Sequence, residues 1–132
     1  MIDFELRSGD VALVVRGDRN GWCRIRYAGA DGESVALGAE TFGYIHDHLL
    51  AFMRSADARN AVHYDYEGHR VVWILTLAEK HAALYGYGRP DGDGGKTIVC
   101  IEDGGNALPE IPLTAARIEE WLATLDNVRK SS

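Results

Sequence analysis

Val71-Val72-Trp73-Ile74-Leu75-Thr76-Leu77 is the longest apolar run of the chain, bounded by Gly68 upstream and Ala78-Glu79-Lys80 downstream. A run this short, rich in β-branched and bulky side chains, reads as a strand. Alternate residues of a strand point to opposite sides of its sheet. Val71, Trp73, Leu75 and Leu77 then face one way, and Val72, Ile74 and Thr76 the other. Both sets are nearly all apolar, so both sides need cover. The run is therefore predicted to lie in the middle of the core.

The 132 residues suit one domain, and 46% apolar with 26% charged residues is ordinary for a globular chain. No run approaches the ~18 apolar residues of a membrane span, so no membrane partner is expected. The start, Met1-Ile2-Asp3-Phe4-Glu5, has no basic segment followed by an apolar one, as a signal peptide would. Cys23 and Cys100 fall in no metal-ligand spacing and read as free thiols. Together these point to a cytoplasmic protein. The net charge is −6, with 9 acids against 6 Lys/Arg in residues 1–58 and 11 against 8 in residues 59–132. Neither end carries an acidic tail or a basic arm. Overall acidity also weighs against general affinity for nucleic acid, which rests on neutralising phosphates.

Taken in order, Phe4 and Leu6 alternate with Asp3, Glu5 and Arg7 in a half-buried first strand. Residues 11–16 form a second, with Val11, Leu13 and Val15 inward, and Gly17-Asp18-Arg19-Asn20-Gly21 is a hairpin loop. Strands at 22–27 and 33–37 follow. From 39 to 55 a helical stripe runs through Phe42, Ile45, Leu49, Phe52 and Met53, weakened at Gly43. The pattern then restarts. His63-Tyr64-Asp65-Tyr66 and His69-Arg70-Val71-Val72 flank Glu67-Gly68 as a tight hairpin, with Asp65 opposite Arg70 and Tyr66 opposite His69. Strands at 81–88 and 96–102 come next, then an irregular segment at 103–112. Thr114 caps a final helix with the stripe Ile118, Trp121, Leu122, Leu125 and Val128.

The expected fold class is α+β: antiparallel sheets with two amphipathic helices in the order β4-α-β4-α. The chain is read as a single domain, 1–132, whose halves, 1–56 and 60–128, are candidates for a duplicated β4α unit. Val35-Ala36-Leu37 before the first helix parallels Ile111-Pro112-Leu113 before the second. The order is similar to that of Whirly-type and PUR-type single-strand binders, a likeness of layout with no shared motif.

Asp93-Gly94-Gly95-Lys96-Thr97 invites comparison with a phosphate loop, but Pro90 replaces its first glycine and a strand follows where a helix is needed. The segment from Asp91 to Glu102 also starts a calcium pattern, yet Lys96 takes the position of the turn glycine. His46 and His48 are two apart on a helix and point away from each other. His63 and Asp65 share a strand face and are the pair an enzyme would use for proton transfer, with no nucleophile placed beside them. No catalytic, cofactor or metal site is assigned.

The remaining signal is Arg16, Arg19, Trp22, Arg24 and Arg26, arginines interleaved with an aromatic on one strand face and its hairpin. Such a patch suits an acidic protein partner or a single-stranded nucleic acid. Its plain alternative is pairing with Asp3, Glu5 and Arg7 on the same sheet. A second aromatic set, Tyr64, Tyr66, Trp73, Tyr85 and Tyr87, is predicted to share one face of the second sheet. Its default explanation is packing, with an interface as the functional reading. These residues point to a non-enzymatic protein-binding module of immunity, inhibitor or adaptor type, its protein partner unidentified. The alternative is a single-strand nucleic-acid binder, and an enzyme using His63 and Asp65 is third. Two sheets with one helix each also leave faces to be covered, by the other half or by a second copy in a homodimer.

Overall fold

The computed structural model describes residues 3–18, 20–54, 65–66, 69–70, 73–76, 83–88, 95–102 and 105–131. The first half is an antiparallel meander of β1 (Asp3–Ser8), β2 (Val11–Gly17), β3 (Trp22–Ala28) and β4 (Ser34–Thr41), followed by α1 (Phe42–Arg54). The second holds a two-stranded pair, β5 (Asp65–Tyr66) and β6 (His69–Arg70). A second antiparallel meander follows: β7 (Trp73–Thr76), β8 (Ala83–Gly88), β9 (Lys96–Ile101) and β10 (Ile111–Leu113), then α2 (Ala115–Lys130). The class is α+β, with antiparallel sheets and two helices.

Alternation builds the first sheet. Phe4, Leu6, Leu13, Val15, Cys23, Ile25 and Tyr27 are buried, while Asp3, Glu5, Arg7, Arg16, Trp22, Arg24 and Arg26 are exposed. One departure extends β4 beyond the expected 33–37. Ile25 pairs with Gly38 and Arg26 with Ala36, so Leu37 is an extra residue in a bulge. Gly38 takes φ 145°, a conformation that disfavours any side chain. The strand thereby reaches Thr41 and pairs with Trp22, so α1 begins at Phe42 rather than at 39. The Thr41 hydroxyl accepts the Tyr44 N–H at 3.3 Å, the contact of an N-cap.

Both predicted helix stripes face inward. Ile45, Leu49, Phe52 and Met53 of α1 are buried with Phe42 partly so, and His46 joins them. In α2, Ile118, Trp121 and Leu125 are buried, and Leu122 and Val128 pack against the same cluster. Thr114 caps α2, its hydroxyl accepting the Arg117 N–H at 3.1 Å.

Two expectations about the second half change. The described part of the stretch 71–77, β7, is not central in its sheet: it ends the order β10-β9-β8-β7 and pairs with β8 alone among the described residues. The strand covered on both faces is β9, where Lys96, Thr97, Ile98, Val99 and Cys100 are all buried. Apolar density is a local property, whereas position in a sheet depends on partners far along the chain. The segment expected to be irregular, 103–112, runs into β10, which pairs with β9 through Ile111–Ile98 and Leu113–Lys96. Pro112, lacking an N–H, is tolerated there because β10 is an edge strand. The hairpin register holds: Asp65 faces Arg70 and Tyr66 faces His69.

The halves close on each other. One hydrophobic cluster runs from Phe4 through Phe52 to Ile98, Trp121 and Leu125. The Trp121 indole N–H donates to the Arg7 carbonyl at 2.9 Å, and the Tyr27 hydroxyl donates to the Pro109 carbonyl at 2.8 Å. The Ser8 hydroxyl donates to the Pro112 carbonyl, joining β1 to β10. A second copy is therefore not needed to cover the inner face of the first sheet.

Candidate partner-binding face

The hairpin between β2 and β3 sets the position of Trp22. The Asp18 carboxylate accepts the N–H groups of Asn20 at 3.0 Å and Trp22 at 3.2 Å, and the Asp18 N–H donates to the Trp22 carbonyl at 2.8 Å. Gly21 turns the chain at φ 77°, and its carbonyl accepts the Phe42 N–H at 2.9 Å. Trp22 is thus fixed at the corner of the sheet, next to the start of α1. At 37% exposure it is the one exposed large hydrophobic side chain among the described residues.

Register then places arginines beside it. Arg16 lies directly opposite Arg24, and Arg26 opposite Val14. Like charges directly opposite across strands are unfavourable on their own. Asp3 relieves one end: it pairs with Arg16 at 3.4 Å and accepts the Gly17 N–H at 3.1 Å. Glu5 pairs with Arg7 on its own strand, and Arg26 donates to the Ser34 hydroxyl at 2.7 Å and carbonyl at 3.1 Å. Arg24 also makes a contact of its own. The pairing expected with Asp3 is present, then, but Glu5 does not reach β3. These ion pairs are solvent-exposed and contribute little to stability, so the guanidinium groups stay easily exchanged onto a partner. Among the described residues, Arg7, Arg16, Arg24 and Arg26 outnumber Asp3 and Glu5 on this face of an otherwise acidic chain.

The other predicted contributors are less well joined. Arg19 and Tyr64 lie outside the described residues. Tyr66 is in β5, which belongs to the separate two-stranded pair. Tyr85 and Tyr87 both lie in β8, two apart. Trp73 pairs with Gly86 and Ile74 with Tyr85, so the Trp73 position belongs to the face opposite that of Tyr85 and Tyr87. Of the set expected on one face, the Trp73 position is therefore separated by register from those of Tyr85 and Tyr87. A one-residue change of register reverses every position of a strand, and turn length outside the run sets it.

Lys96 of the phosphate-loop candidate starts a strand and is buried, its ammonium donating to the Phe52 carbonyl at 2.8 Å. It is turned into the core, away from any phosphate at the surface. His63, Asp91 and Asp93 lie outside the described residues. Among the described residues no group of three His, Cys, Asp or Glu side chains gathers as metal ligands would. No helix described is long and apolar enough to cross a membrane. Cys23 is buried on the face of Ile25 and Tyr27, and burial, with Asp18 and Asp3 nearby, pushes its thiol pKa up. A protonated, buried thiol is a poor nucleophile.

Sequence reading missed the cluster at the helix–helix contact. His46 is 1% exposed; its Nε2 lies 3.0 Å from the Leu125 carbonyl, so Nε2 carries the proton. Nδ1 then accepts from Arg129 at 3.3 Å, and Arg129 also pairs with Asp47 at 3.2 Å. With no proton on His46 Nδ1 to share, it is the Arg129 guanidinium that holds the Asp47 carboxyl below its ordinary range. The spacing of His46, Leu50 and Arg54 four apart along α1 was the available signal. The chain matches no family model and no curated protein.

Proposed function

We propose that this protein is a non-enzymatic protein-binding module, acting by surface complementarity through the outer face of its first sheet. The observation that carries the reading is the position of Trp22, exposed at the corner of a rigid sheet with Arg16, Arg24 and Arg26 beside it. Tryptophan and arginine are the side chains most often found to dominate binding energy at interfaces. An arginine-rich face on a chain of net charge −6 selects a partner surface that is locally acidic. Asp3 and Glu5 on the same face, with a single exposed tryptophan, fit discrete contacts with a protein better than a continuous phosphate track.

The test is capture from the native cell by the wild-type chain, Trp22→Ala, Arg24→Glu and the control Glu119→Lys on α2. A protein retained by wild type and control but lost with the two face variants supports the reading. Equal capture by all four chains defeats it. Anisotropy titration with single-stranded DNA and RNA at two salt concentrations covers the nucleic-acid alternative, whose mark is tight binding that falls steeply with salt.

A further inference from the structure

A cleft of about 610 Å³ opens between α1 and α2, within the range of small-ligand sites. Leu50 and Leu122 are its half-buried apolar lining, and His46 and Arg54 of α1 and Asp126 and Arg129 of α2 are its polar groups. The charges are not equivalent. Asp126 is held by Lys130 at 3.0 Å, one turn along the same helix. Arg129 is oriented by His46 and Asp47. Arg54, the last residue of α1, is exposed and has no hydrogen bond or ion pair with the described residues. It stands eight residues beyond His46, about 12 Å along the helix.

We propose that this cleft binds an amphipathic monocarboxylate, with an apolar body of medium chain length along Leu50 and Leu122 and its head on Arg54. A guanidinium matches a carboxylate through two parallel N–H···O bonds, the geometry that favours arginine over lysine at such sites. Asp126 in the lining of the cleft disfavours a doubly charged head such as a phosphate dianion. Arg129, the cation at the other end beside His46, is already engaged by Asp47 at 3.2 Å. The head is therefore directed to Arg54 and the tail toward His46. This site lies on the helices, apart from the arginine face of the first sheet, so each proposal stands or falls alone.

The probe is sodium decanoate below its micellar concentration, followed by calorimetry and by amide chemical shifts. Decanol, decyltrimethylammonium and decyl phosphate are the comparison ligands. Saturable binding is expected, with shifts at Leu50, Leu122 and the neighbouring Ala123, which also lines the cleft. Arg54→Gln, an exposed substitution, should weaken it about tenfold or more, and decanol should bind weaker than decanoate by a similar factor. No binding by decanoate, equal affinity for decanol, or an unchanged affinity in Arg54→Gln overturns the site. Shifts confined to residues away from the cleft overturn it as well. Tighter binding of decyl phosphate overturns the assignment to a monocarboxylate.

Discussion

The ammonium of Lys96 in β9 donates to the carbonyl of Phe52 in the last turn of α1, at 2.8 Å and inside the core. The last four carbonyls of a helix lack intrahelical partners, and a cation is favoured at that end of the helix dipole. Lys96 supplies both, and its ammonium sits 5.1 Å from the centre of the Phe52 ring. Burial lowers its pKa, so the charge is held against a desolvation cost. Replacing Lys96 with Met keeps the apolar stem and removes the donor. The expected loss is about 1–2 kcal/mol in chemical denaturation, because the Phe52 carbonyl is left without this donor. A gain in stability would show that the desolvation of the ammonium outweighs the bond.

Trp121 joins the halves by both area and hydrogen bond. Trp121→Ala removes a side chain 2% exposed and should cost about 3–5 kcal/mol. Trp121→Phe keeps most of the volume but leaves the Arg7 carbonyl without its indole donor, for about 1–2 kcal/mol. If the alanine variant loses less than about 1 kcal/mol, α2 does not carry the packing described.

Alkaline pH should weaken the fold through Cys100. Burial pushes its thiol from the ordinary 9.0 up to about 12. The unfolded chain releases this proton near pH 9 while the folded chain keeps it, so the contribution is complete below pH 9 and is lost as pH rises toward 12. The limiting slope is about 1.4 kcal/mol per pH unit. Cys23 and Tyr27, also raised by burial, act in the same direction; Lys96, lowered, acts in the opposite one. Denaturation of Cys100→Ala across this range should show a shallower decline than wild type. Equal slopes would remove Cys100 as the cause.

Gly43 lies in the first turn of α1, and a methyl group there would meet open space. Gly43→Ala should raise stability by about 0.5–1 kcal/mol through helix propensity and a less disordered unfolded chain. Thermal and chemical melts check it. A loss instead would mean that the glycine serves a contact made by a partner.

Local pattern carried much of this protein. The alternation of Asp3-Phe4-Glu5-Leu6-Arg7, the stripes of both helices, the Thr114 cap and the Asp65–Arg70 register are all decided by neighbours a few residues away. Cys23, two residues before Ile25 on one strand face, is buried by the same alternation. The exposed set Arg16, Trp22, Arg24 and Arg26 followed from period two alone.

Sequence by itself determined the element types, most inward faces and the exposed arginine–tryptophan row, since each follows from side-chain direction along one element. Tertiary structure alone decided which strand is doubly covered, because β9 becomes central only through β8 on one side and β10 on the other. It also decided that Trp73 and Tyr85 hold opposite faces, that Lys96 closes α1 and that His46 meets Arg129. Those contacts join residues 44 and 83 positions apart in the last two cases, and no local period encodes a meeting at that range. Their geometry follows from packing two helices and two sheets around one apolar cluster.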